Sequence, residues 1–284
     1  MMRASGTVFA RFAYSTKLEV VMEEQEQHPL FFGARGLHGY KLQASDGEIG
    51  HVEDLYFDED RWGVRYLVVR TGPWLFGRSV LITPLAITGV YPESKCVAVS
   101  LTKEQVKNSP DTDTDRPISR QIENELFIYY DFPVYWGGAG LWGAHSTPTG
   151  ALAEHGDEGI GKGDVEPENE SKLRSCNEVT GYHVNAVDGE VGKVRDFWFE
   201  CETWRVRYLQ IELTKTEKSK QILASTKSVD QVVWAASSVQ MNHGTEKFRF
   251  APTYKPGSAI TRDLEHDICN HFELHRYWER PPEL

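Results

Sequence analysis

No apolar run in this 284-residue chain approaches the roughly 18 residues that a membrane-spanning helix needs. Cysteine is scarce. Cys96, Cys176, Cys201 and Cys269 show no CxxC and no short spacing, so neither a disulfide framework nor a zinc site is encoded. Free thiols in a reducing compartment are expected. Positive charge is also short: the formal net charge is −11, which argues against a general nucleic-acid binder, because phosphate contacts need clustered Lys and Arg. Gly-x-Ser-x-Gly, a Cys–His arrangement and a Rossmann glycine pattern are all missing from any fitting context. The N-terminal "MMRASGTVFARFAYSTKLEVV" starts basic but lacks the apolar core and cleavage site of a signal peptide. It reads as a short amphipathic arm, or as a stretch ahead of a true start at Met22.

The composition, 40% hydrophobic and 26% charged, is that of a globular chain long enough for two ordinary domains. A repeat organises it. Shifting the chain by 142 residues lays 37–71 on 179–213 without a gap. Fifteen of those thirty-five positions are identical, among them Asp46, Gly47, Glu48, Gly50, Asp54, Trp62, Arg65 and Tyr66. The offset persists. Pro110 falls on Pro252, Ile118, Arg120 and Glu123 on Ile260, Arg262 and Glu265, and Tyr135-Trp136 on Tyr277-Trp278.

Between the copies, 137–175 is rich in Gly and Glu and poor in apolar residues. Such a stretch buries too little to offset its ordering entropy, so a flexible acidic linker is expected. Its "GIGKGD" lacks the Walker spacing and a preceding strand. Charge is uneven: 137–178 carries 8 acidic against 3 basic residues, whereas 179–278 carries 13 of each.

Each copy reads as about six short strands, at the spacing of a small closed or nearly closed barrel. In the first copy these are 39–43, 48–57, 62–70, 79–83, 87–91 and 96–101. A helix should follow, opened by Pro117, with Ile118, Ile122 and Leu126 on one stripe; Ile260, Leu264, Ile268 and Phe272 repeat the spacing. The expected fold is mainly β. An N-terminal arm covers 1–35, a first barrel with helical tail 36–136, a flexible linker 137–175, and a second barrel with helical tail 176–284.

The run Gly39-Tyr40, Asp46-Gly-Glu-Ile-Gly50, Val52-Glu-Asp54, Trp62-x-Val-Arg-Tyr-Leu-Val-Val69 and Val80-Leu-Ile-Thr-Pro84 resembles a PRC-barrel domain. This β-barrel module is shared by the photosynthetic reaction centre H subunit and the ribosome maturation factor RimM. The layout is similar to that of bacterial tandem PRC-barrel proteins, whose barrels are followed by residues like Asn108–Asp111, Arg116–Arg120 and Tyr129–Trp136. The second copy departs after Leu213, where "LTKTEKSKQILASTKS" replaces the Gly-Pro-Trp loop. The resemblance implies a fold and an adaptor character, not a reaction.

Four features compete as sites. The Asp-Gly-Glu repeats at 46–48 and 188–190 read as type I′ hairpin turns, with Gly50 and Gly192 relieving crowding in a coiled strand; exposed tips are poor places for acid–base work. Asp54 with Arg65, and Asp196 with Arg207, read as cross-strand pairs of structural value. His266, Cys269, His271 and His275 sit together on the last helix. His271 and His275 share a face there, but the first copy has Asn124, Phe127, Tyr129 and Pro133 instead. The Trp74-Leu75-Phe76 loop, bracketed by Gly72, Pro73 and Gly77, is either an interface or a cap on the barrel end.

No catalytic, cofactor-binding or metal-ligating residue is assigned, and no cofactor is expected. The expected function is non-enzymatic binding or scaffolding of a protein partner in the cytoplasm, as a homodimer or through pairing of the two barrels. Direct nucleic-acid binding and membrane association are not expected. Alternatives are an accessory role in ribosome or RNA maturation, and a peripheral role in a membrane electron-transfer or photosynthetic complex.

Overall fold

In the computed structural model, residues 30–110, 118–155, 171–214 and 220–279 are described. The arm up to Pro29, the Met22 alternative, the "GIGKGD" stretch, Asp111, Arg116 and Pro117 lie outside them.

The first repeat opens with β1 (Phe31–Gly33) and a one-turn helix α1 (Ala34–Leu37). Strands β2 (Lys41–Ala44), β3 (Gly47–Asp58), β4 (Gly63–Thr71), β5 (Ser79–Ile82), β6 (Ile87–Tyr91) and β7 (Cys96–Val99) follow. Then come helices α2 (Lys103–Lys107) and α3 (Arg120–Tyr130). A further helix α4 (Pro148–His155) lies between the repeats. The second repeat reproduces the first at an offset of 142: β8 (Leu173–Ser175), α5 (Cys176–Val179), β9 (His183–Ala186), β10 (Gly189–Glu200), β11 (Val206–Leu213), β12 (Gln221–Ser225), β13 (Val229–Val233), β14 (Ser238–Met241), α6 (Thr245–Arg249) and α7 (Arg262–Phe272).

Two seven-stranded sheets result, ordered β5-β4-β3-β2-β7-β6 and β12-β11-β10-β9-β14-β13. All neighbours along these paths are antiparallel except β2 with β7 and β9 with β14, which are parallel. Neither path closes: β5 and β6 are joined by a 3₁₀ turn at Pro84–Ala86 rather than by a ladder. Each unit is therefore barrel-like rather than a closed barrel.

The seventh strand of each sheet comes from the other repeat. β1 pairs with β10 (Phe31↔Glu200, Gly33↔Trp198), and β8 pairs with β3 (Tyr56↔Ser175, Asp58↔Leu173). The exchange corrects the expected boundaries at 36 and 176. The first repeat begins five residues earlier and the second three, each with a strand whose partner is far away in sequence. Phe32 lies against Phe199 at 6.2 Å between ring centroids, and Arg174 grips Glu59 through two bonds of 2.6 and 2.7 Å. Phe57 meets Phe197 at 5.1 Å, so the two cores are one.

The repeats also touch at an equivalent point on each. Gly63 bridges to Arg205, its own counterpart. The amide of Val64 donates to the Trp204 carbonyl (2.8 Å), and that of Val206 to the Trp62 carbonyl (2.7 Å). The contact is reciprocal, as a two-fold relation between the copies requires.

The expected flexible linker is not flexible over its first half. Leu141 and Trp142 are buried, Trp142 Nε1 donates to the Thr203 carbonyl at 2.8 Å, and α4 packs on the Pro84–Ala86 turn. Two large apolar side chains among glycines are enough to order this stretch, because they fill a gap between the repeats. Residues 156–170 lie outside the described ones.

Both tail helices start later than expected. Ser119 caps α3 by accepting from Ile122 N, and Thr261 caps α7 by accepting from Leu264 N. Ile118 and Ile260 are buried but precede the caps, so they belong to the barrel contact and not to a helical stripe.

Candidate functional site

The Trp74–Phe76 loop divides its three apolar residues between two jobs. Gly72 N donates to the Ile49 carbonyl (3.2 Å) and Trp74 Nε1 to the same carbonyl (2.8 Å). Lys103 Nζ sits 4.6 Å from the Trp74 ring, and Leu75 is buried. Trp74 and Leu75 thus cap the barrel end. Phe76 is 99% exposed and takes a left-handed backbone (φ 54°). A bulky residue there is an outlier that its surroundings must enforce. They do. Gly77 N returns to the Gly72 carbonyl, Arg78 N to the Leu75 carbonyl, and the Arg78 guanidinium donates to the carbonyls of Ser109 (3.0 Å) and Pro110 (2.8 Å). Phe76 is a rigidly presented apolar group. The counterpart loop of the second repeat, 215–219, lies outside the described residues.

The Asp-Gly-Glu hairpins are turns, but not of the expected type. The two-residue loops are Ser45-Asp46 and Val187-Asp188, since Ala44 pairs with Gly47 and Ala186 with Gly189. None of these four loop residues has a positive φ; Gly47 (145°) and Gly189 (152°) do. Each aspartate reaches the following short helix: Asp46 accepts from Lys103 N (2.8 Å), and Asp188 from Thr245 N (2.6 Å). That bond holds the Asp188 carboxyl below its ordinary range. The glutamates pair locally, Glu48 with Lys41 and Glu190 with His183. Gly50 and Gly192 meet the expectation of crowding. A Cβ there would stand 2.0 and 2.1 Å from the carbonyl oxygens of Arg70 and Glu212.

The expected Asp54–Arg65 and Asp196–Arg207 pairs do not form. Register shifts flank position 54 and position 57 of β3, so side chains change face between them. Arg65 pairs with Asp58 (3.0 Å) and Arg207 with Glu200 (2.6 Å). Asp54 instead accepts from Ser175 Oγ (2.5 Å) and Asn177 N (3.0 Å), and Asp196 from Arg35 N (3.0 Å). Each aspartate caps the one-turn helix that follows the strand received from the other repeat. Burial raises both carboxyl pKa values, against the lowering effect of these bonds.

The conserved offset also builds one buried polar cluster twice. Glu123 accepts from Tyr66 (3.2 Å) and Tyr135 (2.5 Å) and pairs with Arg120 (2.9 Å). Glu265 accepts from Tyr208 (2.7 Å) and Tyr277 (3.0 Å) and pairs with Arg262 (2.8 Å). Arg65 stacks on Tyr135 at 3.8 Å and Arg207 on Tyr277 at 3.7 Å. Both glutamates are fully buried. Burial, then the Glu123 charge, pushes the hydroxyls of Tyr66 and Tyr135 well above their ordinary pKa. The clusters clamp helix and aromatic tail onto each sheet, with the glutamates buried and Arg120, Arg262 and Tyr277 partly exposed at their edges. Sequence identity at the offset marked Arg120, Glu123 and Tyr135 as repeated, but not as touching one another.

The last helix ends at Phe272, with Glu273 left-handed at its C-cap, so His275 lies beyond it and cannot share a face with His271. His271 Nε2 lies 2.6 Å from the Lys247 carbonyl, and His266 packs on Trp278. Among the described residues, no group of three or more His, Cys, Asp or Glu is placed to hold a metal ion. The four cysteines are free. Burial pushes the Cys201 thiol up to about 11 and that of Cys176 higher than its ordinary value. Among the described residues no helix is long and apolar enough to cross a membrane.

Residues 29–103 match the family of the PRC-barrel domain. The match covers the first repeat's strands; the second repeat carries the same strand order at the 142-residue offset. No curated protein matches the chain.

Proposed function

We propose that the chain is a non-enzymatic binding or scaffold protein of the cytoplasm that offers a barrel surface to a protein partner, with Phe76 as the central contact. The observation that carries this reading is Phe76 itself. Exposing a whole phenyl ring costs hydrophobic free energy that burial would recover, and holding it on an anchored loop keeps the ordering cost of binding low. Aromatic anchors of this kind dominate interface energetics. The PRC-barrel match supports a binding or scaffold role in general terms. The buried carboxylates support a non-enzymatic reading, since Glu123 and Glu265 are enclosed by their own tyrosines and arginines.

The test is affinity purification from the native host with the full chain, in parallel with Phe76→Ala. Loss of a specific partner in the variant is the expected result. Retention of every partner overturns the Phe76 contact. Salt-dependent co-sedimentation with ribosomes, or recovery with membranes, would replace this reading with one of the two alternatives raised by the sequence.

A further inference from the structure

The two repeats finish their shared junction differently. In the first, the Arg65 guanidinium is fully buried. Its Nη2 donates to Asp58 and its Nη1 to the Leu141 carbonyl (2.5 Å), with Tyr135 and Trp142 packed on its faces. In the second, Arg207 engages Glu200 through Nε (3.0 Å) and Nη2 (2.6 Å) and stacks on Tyr277. Its Nη1 donates to nothing among the described residues. The role of the Trp142 indole, which donates to Thr203, is taken by Arg205, whose Nη1 donates at 3.1 Å to the carbonyl of Arg61, the counterpart of Thr203. Arg205 does not fill the whole space. A pocket of about 50 Å³ remains between Arg205, Arg207, Thr226, Lys227, His275 and Tyr277.

Charge at this junction is unbalanced. Arg61, Arg65, Arg205 and Arg207 meet only two carboxylates, Asp58 and Glu200, and each of these already serves one arginine. The side chains of Arg61 and Arg205 reach carbonyl oxygens and form no ion pair among the described residues. A carbonyl's partial charge does not offset a partly buried cation. Burial, then the repulsion of Arg207, Arg65 and Arg61, lowers the Arg205 pKa despite Glu200. In a chain of net charge −11, this is a local concentration of positive charge around a cavity.

We propose that this pocket of the second repeat is an oxyanion site that takes one carboxylate or phosphate group between Arg205 and Arg207, with Lys227 at its rim. Guanidinium forks match the geometry of such groups. The cavity of about 50 Å³ exceeds the roughly 10–15 Å³ that one water needs on the same measure, which leaves room for a small oxyanion. Lys227 Nζ donates to the His275 carbonyl (3.0 Å), which ties the rim together. In the first repeat the Leu141 carbonyl meets Arg65 Nη1; the residue at the same offset in the second, Glu283, lies outside the described residues. The oxyanion is supplied free in solution or at the end of an acidic side chain of a peptide.

The experiment is an amide-shift titration of the labelled full chain at constant ionic strength. Three probes are used separately: sodium phosphate, sodium acetate, and the peptide acetyl-Gly-Leu-Glu-amide. Saturable shifts confined to 205–208, 225–228 and 274–277 are expected. Phosphate or acetate saturating the site assigns a free ligand, and saturation by the peptide alone assigns a peptide-borne one. Arg205→Gln should weaken binding about tenfold, as loss of a charge-assisted bond does. Lys227→Gln, at the exposed rim, should weaken it less and leaves the junction intact, which separates lost binding from lost folding. Arg249→Gln, an exposed cation elsewhere, should change nothing. No saturable shift with any probe up to about 50 mM, or equal weakening by Arg249→Gln, overturns the proposal.

Discussion

Gly63 pairs across the repeat boundary with Arg205, the residue at its own place in the second copy. One position therefore carries two residue types that must fit each other. A Cβ on Gly63 would lie 2.9 Å from Leu141 Cδ1 and 3.0 Å from Arg65 Cζ. The glycine makes room for the inter-repeat segment on one side, and the arginine fills the matching room on the other. Gly63→Arg, which would make the junction symmetric, should expel Leu141 and Trp142 and cost about 3 kcal/mol or more. Urea unfolding measures it, and a cost below about 1 kcal/mol would contradict this account.

Gly50→Ala and Gly192→Ala should each destabilise by several kcal/mol, about 3 or more, because the neighbour met by the new methyl is a backbone oxygen that cannot swing away. Serine at either position should behave the same. A substitution tolerated within about 0.5 kcal/mol would show that the two strands can separate there.

Trp74→Ala and Phe76→Ala should part company in the same assay. The first removes a ring that donates to the Ile49 carbonyl and caps the barrel, for a loss of about 2 kcal/mol. The second removes a ring that touches solvent and should change stability by no more than about 0.5 kcal/mol. Similar losses for both would mean that Phe76 packs on the chain.

The aspartates that cap the exchanged helices give a pH signature. Their folded pKa values are raised, so the folded state holds these protons more tightly than the unfolded chain. Stability then falls as pH rises from the ordinary carboxyl value of 3.8 through the folded value, and is level above it. Asp196→Asn removes this titration. Its stability relative to wild type should rise over that window and then stay constant. Chemical denaturation across the acid range reads this out, and a falling or flat difference would refute the assignment.

Co-expressed halves, 1–155 and 156–284, should purify as one particle, because each supplies a strand to the other's sheet. Asp54→Ala with Asp196→Ala should weaken that association, each lost cap being worth about 1 kcal/mol. Halves that run separately on gel filtration would count against the exchange.

Much of this architecture is legible in the sequence. The 142-residue offset predicts that the strands from β2 onward and the tail helix recur in the second copy, and the alternation in 62–70 places β4 to within one residue. The exchange was not legible. Phe31–Gly33 and Leu173–Ser175 are three-residue strands, too short for a period to show, and each lies in a stretch whose composition looks like arm or linker. The wrong partner for Arg65 has a specific cause. Asp54 is identical in both copies, whereas the true partner is Asp58 in one and Glu200 in the other, and the register shifts that select it leave no mark in the sequence. Arg205 escaped notice because it is where the copies differ, and a search for repeated charges passes over such a position.

The exchanged strands also bear on dissection of this chain. Cut at the junction, each repeat would lose the strand on one edge of its sheet: β3 would lack β8 and β10 would lack β1. Asp54 and Asp196 would each be left without the backbone amide that they cap, so the stability of either repeat is a property of the pair.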